Sequence, residues 1–335
     1  MQKKPLRIMV SAILLISWMH AQENTPGEAS PINTVSVSPN STFVLSAGTD
    51  HILRIWDVAS EKLVRQIPAH EFWITSAQWS PDESTIATAS KDGSIKLWNA
   101  LSGNLLRMLE GHNGAVMAVT FSPNGQFVLS ASHDNTLKLW NSTTGEIVRI
   151  FAGHDFSVTS VSFSNNGTYF ISGSLDRTVK LWRIDLSEPL ATWEGHSGGV
   201  LTVALSPDGQ MALSGGNDKT IIRWRVGDGK KMREYKGHSG SVKTVAFTPA
   251  GDGFISGDKS GQIRIWETEN GKSRSLIETN NGSINALCFN GLGDKYFSGG
   301  DDGRLTLWSR IYNERVAVFV DSGNNQLQPQ VTTNP

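Results

Sequence analysis

The chain has 335 residues, enough for one large domain or two ordinary ones. Its 30 Lys and Arg are scattered and nearly matched by 31 Asp and Glu, which argues against nucleic acid as a partner, since duplex binding needs a concentrated positive face. With 33 Gly and 11 Trp beside many Ser and Thr, the composition is that of a turn-rich β protein.

At the N-terminus Lys3, Lys4 and Arg7 precede the apolar run IMVSAILLISWM at 8–19. That run is too short to span a bilayer as a helix, which takes about 20 residues, so no stable membrane span is expected. Ala21 then leads into the polar stretch QENTPGEAS. A basic start, an apolar centre and a small residue before a polar segment predict a secretory signal peptide at 1–21, cut after Ala21 although Met19 is large for its place. The protein is therefore expected to be exported, to the periplasm or beyond the cell. Loss of the three basic residues leaves 27 basic against 31 acidic ones, a mildly acidic and soluble mature chain with a short N-terminal segment at 22–31.

From residue 32 to 320 one pattern repeats. Trp56, Trp98, Trp140, Trp182, Trp224, Trp266 and Trp308 are each 42 residues apart, without one insertion. A fixed period of this length marks a solenoid or a propeller. Within the unit that starts at Gly111, the runs VMAVTFS, FVLSAS, TLKLWN and EIVRIF are separated by the turns PNGQ, HDN and STTG. Four short β-rich runs with no amphipathic helix exclude the helical repeats. The fold class predicted is all-β: a seven-bladed β-propeller of four-stranded antiparallel blades.

Gly-His near the start of a unit and Trp-Asp near its end carry a family likeness. The latter pair is intact at Trp56-Asp57 and relaxed elsewhere to Trp-Asn, Trp-Arg, Trp-Glu or Trp-Ser. The chain resembles the WD-repeat family of seven-bladed propellers. The resemblance implies a structural hydrogen-bond relay in each blade. Ten positions before each Trp stands a hydroxyl: Ser46, Thr88, Ser130, Ser172, Ser214, Ser256 and Ser298. Six before stand Asp50, Asp92, Asp134, Asp176, Asp218 and Asp302, and twenty-eight before stand His70, His112, His154, His196 and His238. Indole only donates, hydroxyl and neutral imidazole do both, and carboxylate only accepts, so the chain of four closes with every donor satisfied. Blades 2 to 5 have all four types. Glu28 replaces His in blade 1, Ser260 replaces Asp in blade 6, and Asn280 replaces His in blade 7. Blades 6, 7 and 1 adjoin where the chain ends meet, and this seam is expected to be the least stable part of the ring. The family often closes its ring by sharing a blade between the ends. Here RVAVFV at 315–320 can supply blade 7's own outer strand, so closure by packing alone is expected.

Sequence motifs for chemistry fail on context. Gly195-His196-Ser197-Gly198-Gly199 fits a nucleophile elbow, but the strand-like VLTVALS follows it instead of a helix. The relay Ser, His and Asp are structural by repetition, whereas a catalytic Ser must be open to substrate. Histidines placed one to a blade cannot converge on a metal. Asn270-Gly271-Lys272-Ser273 lacks the leading Gly of a phosphate loop, Trp266 standing there instead. The sequons at Asn40, Asn141, Asn166 and Asn281 fall in turns, where these residues are common for conformational reasons. The only cysteine, Cys288, is expected to be a buried, inert thiol. No catalytic residue, cofactor or metal is assigned.

The residues next to each relay His and Asp surround one mouth of the channel, which in the family is the usual binding surface. They are Phe72, Trp73 and Lys91, then Met117 and His133, then Phe156, Thr159 and Leu175, then Leu201 and Asn217, and finally Lys243 and Lys259. Phe72, Trp73, Met117, Phe156 and Leu201 could form an apolar arc with a basic edge at Lys243 and Lys259. The polar tail 321–335 is expected to be disordered. The function this supports is an exported, non-catalytic, monomeric scaffold that binds another protein at the channel mouth. The alternative is an enzyme or small-ligand binder with a site in the channel.

Overall fold

The computed structural model describes residues 30–268, 271–279 and 281–320. The signal peptide, most of segment 22–31, Glu28, Asn270, Asn280 and the tail 321–335 lie outside the described residues. Among those described, twenty-eight strands, β1 to β28 in chain order, form seven four-stranded antiparallel sheets and no helix. The predicted fold class is the observed one.

Blade 3 shows how the sequence makes a sheet. Its strands are β9 (Val116–Phe121), β10 (Phe127–Ser132), β11 (Leu137–Asn141) and β12 (Ile147–Phe151). The turn after β9 is set by Pro123-Asn124-Gly125: the Gly125 amide donates to Ser122 O at 2.8 Å, with Gly125 at φ 71°. Both faces of the two middle strands are buried, because each blade is sandwiched between two others.

The first strand of each blade lines the channel. These inner strands are β1 (Ile32–Val37), β5 (Ile74–Trp79), β9, β13 (Val158–Phe163), β17 (Val200–Leu205), β21 (Val242–Phe247) and β25 (Ile284–Phe289). Each touches the next around the ring, and β25 touches β1. Blade 1 is built from β1 to β4 (Leu63–Pro68) and blade 7 from β25 to β28 (Glu314–Phe319), each from contiguous chain. Among the described residues no strand is exchanged at the seam. The ring closes by packing.

There are seven cores, one between each pair of neighbouring blades. A small residue nine before each Trp permits this: Ala47, Ala89, Ala131, Gly173, Gly215, Gly257 and Gly299. The first side chain of the next inner strand fills the space it leaves. A methyl on Gly173 would stand 2.6 Å from Val200 Cγ1, and one on Gly257 would stand 2.5 Å from Ile284 Cγ2. The seam repeats the arrangement, with Ile32 against Gly299 and one cluster joining Val44 and Trp56 to Phe297 and Phe319.

Polar bonds tie the same joints. The amides of Ala77, Val119, Val203 and Val245 donate to the hydroxyls of Thr34, Ser76, Ser160 and Thr202 of the preceding blade, at 3.1 to 3.3 Å. Asn33 Nδ2 donates to Ile74 O at 2.9 Å between blades 1 and 2, and Asn285 Nδ2 makes the same bond to Ile32 O at 3.1 Å across the seam. On the outer side Arg65 clamps the carbonyls of Leu101 and Ser102 at 2.7 and 2.9 Å, and Arg107 reaches Thr144 O at 2.9 Å.

Cys288 is half-buried beside the seam cluster, and burial pushes its thiol up to about 12 against hydrogen bonds from the Val37 and Phe297 backbones. Such a thiol is unreactive near neutral pH.

The tight joint gives a direct test. Gly257→Val forces two extra methyls and a Cβ into the space held by Ile284, and should lower the stability of the ring by about 1–3 kcal/mol. The expected result is a lower denaturant midpoint with an unchanged slope; an unaltered midpoint would show slack in the joint.

Candidate functional site

At one end of the ring, each blade's entering loop meets the hairpin between its second and third strands. In blades 2 to 5 the Trp indole N–H donates to the Ser or Thr hydroxyl at 2.7 to 2.9 Å. That hydroxyl lies 2.7 to 2.8 Å from His Nε2. His Nδ1 lies 2.6 to 2.9 Å from Asp Oδ2. Because the carboxylate only accepts, Nδ1 carries the proton, Nε2 accepts from the hydroxyl, and the hydroxyl is left to accept from indole. Each proton along the relay has one place to go.

The free carboxylate oxygen holds the hairpin. Asp134 Oδ1 accepts from the Thr136 amide at 3.0 Å and its hydroxyl at 2.6 Å, and Oδ2 also accepts from the Asn113 amide at 3.0 Å. Burial acts to raise the Asp134 pKa, but the hydrogen bonds from Thr136, His112 and Asn113 outweigh it and hold it down to about 2. Asp92, Asp176 and Asp218 are depressed in the same way. His112 goes the other way, since burial lowers it more than Asp134 raises it, which keeps the ring neutral.

Blade 6 requires a correction. Ser260 does stand where Asp was expected, yet the relay is complete. His238 Nδ1 meets Asp258 Oδ2 at 3.0 Å, Nε2 meets Ser256 Oγ at 2.6 Å, and Trp266 donates to Ser256 at 2.8 Å. Blades 2 to 4 read Ser-x-Asp at this hairpin, and blade 6 reads Asp-x-Ser. The exchange preserves the bonding, for Asp258 Oδ1 accepts from the Ser260 amide at 2.9 Å and hydroxyl at 2.7 Å. Asp258 is fully buried and its pKa is depressed: burial opposes this, and His238 chiefly drives it. The signal was available in the sequence, as Asp258 is the one acid at eight positions before Trp, in the one blade that lacks it at six.

The shortened relays are those of blades 1 and 7. Each keeps its indole–hydroxyl bond at 2.8 Å, to Ser46 and Ser298. Asp50 pairs with Arg54 at 2.5 Å instead of with a histidine. Asp302 Oδ1 accepts from the Arg304 amide at 3.0 Å.

The same hairpins build the channel mouth. In blades 2 to 6 the residue seven before the Trp donates its amide to the entering loop: Lys91 to Trp73 O, His133 to Ala115 O, Leu175 to Ser157 O, Asn217 to Gly199 O and Lys259 to Ser241 O, at 2.8 to 3.0 Å. Ser90 Oγ donates to Phe72 O at 3.2 Å and Ser174 Oγ to Phe156 O at 2.8 Å, so the backbone is pinned where these rings project. Phe72 is 41% exposed, Phe156 61% and Leu175 38%. The equivalent places in blades 3, 5 and 6 hold Gly114, Gly198 and Gly240.

The other proposed surface residues divide. Lys91, His133, Asn217, Lys243 and Lys259 are exposed. Trp73 is half-buried, with the Lys91 ammonium 3.8 Å above its ring. Met117 and Leu201 are half-buried at the second position of their strands. Thr159 is turned to structural use, its hydroxyl 2.8 Å from Val200 O of the next blade. Burial and the nearby Lys243 charge both lower the Lys91 pKa; burial and Lys91 lower that of His133. Ser197 is exposed, but its amide serves the relay by donating to Asp218 at 2.9 Å, and a strand follows.

Seven closed blades, with a polar lock in each and loops gathered at a channel mouth, define a β-propeller of the repeat class. The chain matches the family described as WD domain, G-beta repeat, in seven segments at 22–57, 61–99, 103–141, 145–183, 187–225, 229–267 and 271–309, and it belongs to that family. Each matched segment from the second onward starts just before the outer strand of one blade and ends with the last residue of the third strand of the next. A comparison with curated proteins finds no match.

Asp176→Asn and Asp258→Asn should each cost about 1–3 kcal/mol by leaving relay donors unmet, whereas Asp302→Asn should change stability by less than about 0.5 kcal/mol. Equal effects at Asp258 and Asp302, by denaturant unfolding, would contradict the assignment of Asp258 to the relay.

The depressed carboxylates also fix an acid response. Their pKa is lower folded than unfolded, so their stabilisation is complete above about pH 4 and is lost as pH falls toward about 2. Asp134 alone accounts for ~2 kcal/mol. Unfolding free energy should drop steeply across that window, and Asp134→Asn should flatten the drop. A slope unaffected by the substitution would remove the claim.

Proposed function

We propose that this protein is an exported, non-catalytic, monomeric platform that binds another protein through the channel-mouth face. The observation that carries the reading is the pair Phe72 and Phe156. Large apolar rings lie 41% and 61% exposed on loops whose backbones are pinned by Ser90 and Ser174. A ring held outward loses little entropy on docking, which is how aromatic anchors contribute at interfaces. A non-catalytic role is supported by the relay serines. They are buried, their protons go to histidine, and their lone pairs take the indole N–H. Export rests on the basic, apolar and small-residue pattern of 1–21.

The test uses cross-linked affinity capture of the tagged chain from its own compartment, with Phe72→Ala/Phe156→Ala as comparison. The double variant should keep its melting temperature and lose the captured protein. Retention of every captured protein by a folded variant would refute the assigned face. The mass of the native N-terminus should correspond to cleavage after Ala21; an intact leader would refute export by this route.

A further inference from the structure

The seven inner strands read INTVSV, ITSAQW, VMAVTF, VTSVSF, VLTVAL, VKTVAF and INALCF. Their side chains are apolar or neutral, with Lys243 the single charged exception. It sits at the second position of β21, where other blades place Asn33, Thr75, Met117, Thr159, Leu201 and Asn285. Asn33, Thr75, Thr159 and Asn285 use that position to bond a carbonyl of the next blade, at 2.6 to 3.1 Å. Lys243 instead is exposed and has no carboxylate within 4 Å among the described residues.

Lys243 is not isolated. Its charge reaches Lys91, and Lys91 in turn reaches His133, so Lys243 of blade 6, Lys91 of blade 2 and the imidazole of His133 on blade 3 share the mouth. Lys259 adds an exposed ammonium on blade 6. Lys91 rests on the Trp73 ring at 3.8 Å, which fixes its height above the rim. Unpaired cations are gathered here on a chain whose net charge is −1. Gathering like charges costs energy, and a bound anion would offset that cost. The apolar collar of Phe72, Phe156 and Leu175 lies on the same face.

We infer that the channel mouth takes an acidic peptide segment of a partner protein. An Asp or Glu side chain would sit between Lys243 and Lys91, with a neighbouring apolar side chain against Phe156 or Phe72. This rests on the docking face proposed above and adds the chemistry of what docks there. A nucleic acid is disfavoured because three lysines and one histidine ringed by apolar side chains form a socket, without the extended basic track that a phosphate backbone needs.

The experiment measures fluorescence anisotropy of a labelled peptide of alternating Glu and Ser with one central Leu. The comparisons are the same peptide with Gln for Glu and a single-stranded DNA of similar length. The acidic peptide should bind, weaken as salt is raised, and lose about tenfold or more in affinity with Lys243→Glu, while Lys243→Arg retains it. Since Lys243 has no ionic partner to lose, Lys243→Glu should melt like the parent; if it does not fold, Lys91→Ala and Lys259→Ala take its place with the same expected loss. Equal binding of the Gln peptide, no effect of the charge reversals, or tighter binding of the DNA would overturn the inference. Affinity capture separates the two levels. Capture lost with Phe72→Ala/Phe156→Ala but unchanged in Lys243→Glu leaves the face standing and removes the acidic ligand.

Discussion

The indole–hydroxyl–imidazole–carboxylate relay is the interaction on which the rest depends. A propeller blade carries its loops at two ends of a flat sheet, and nothing in a sheet fixes the path of a loop. The relay does so with groups whose donor and acceptor capacities match in one order only. It begins inside the sheet at Trp140 and Ser130, passes through His112 of the entering loop, and ends at Asp134 of the next hairpin. Burial makes the order strict, because any unmet donor there is costly. The loop and hairpin it joins are those that carry Phe72, Phe156, Lys91 and Lys259, so the feature that stabilises the blade also positions the proposed binding surface.

A second constraint works between blades. Seven equivalent joints need seven equivalent shapes, and the alanine or glycine nine before each Trp supplies them by making room for a Val or Ile of the next inner strand. The packing of the seam follows the same pattern, although its chain connectivity differs and the relays of its two blades are shortened. Ile32 packs on Gly299 as Val242 packs on Gly215, and Asn285 reaches Ile32 as Asn33 reaches Ile74. Ring closure without an exchanged strand is possible because the last joint has an apolar core like the others and the same cross-blade amide bond as the joint of blades 1 and 2.

Fold and relay were legible in the sequence to the extent that they repeat. Trp, hydroxyl, His and Asp at constant offsets identify their own partners, and the strand runs between turns match the observed strands within a residue or two. What escaped was substitution that conserves bonding while breaking position. Asp258 and Ser260 exchange roles within one hairpin, so a rule keyed to one offset reads blade 6 as defective although its bonds are all made. Side-chain direction at the mouth escaped for a different reason. Thr159 could have faced the channel opening, but a free carbonyl at Val200 lies 2.8 Å away and takes its hydroxyl. Trp73 could have stood out like Phe72, but Lys91 covers its face. Such choices depend on neighbours 20 or 40 residues away, which no local pattern contains.

Stability and the proposed docking face meet at Asp134, Asp176 and Asp218 in particular. Their Oδ2 atoms accept not only from imidazole but also from the loop amides of Asn113, Asp155 and Ser197, at 2.9 to 3.2 Å. Each carboxylate is thus the junction of three segments: the entering loop, the hairpin and the buried relay. A proton added there weakens all three at once, whereas a charge altered at Lys243 touches no such junction. The lock needs its negative charges buried and saturated, and the socket leaves its positive charges exposed and unpaired. Opposite treatment of charge at one end of the blades is what separates the part of this face that holds the fold from the part proposed to bind.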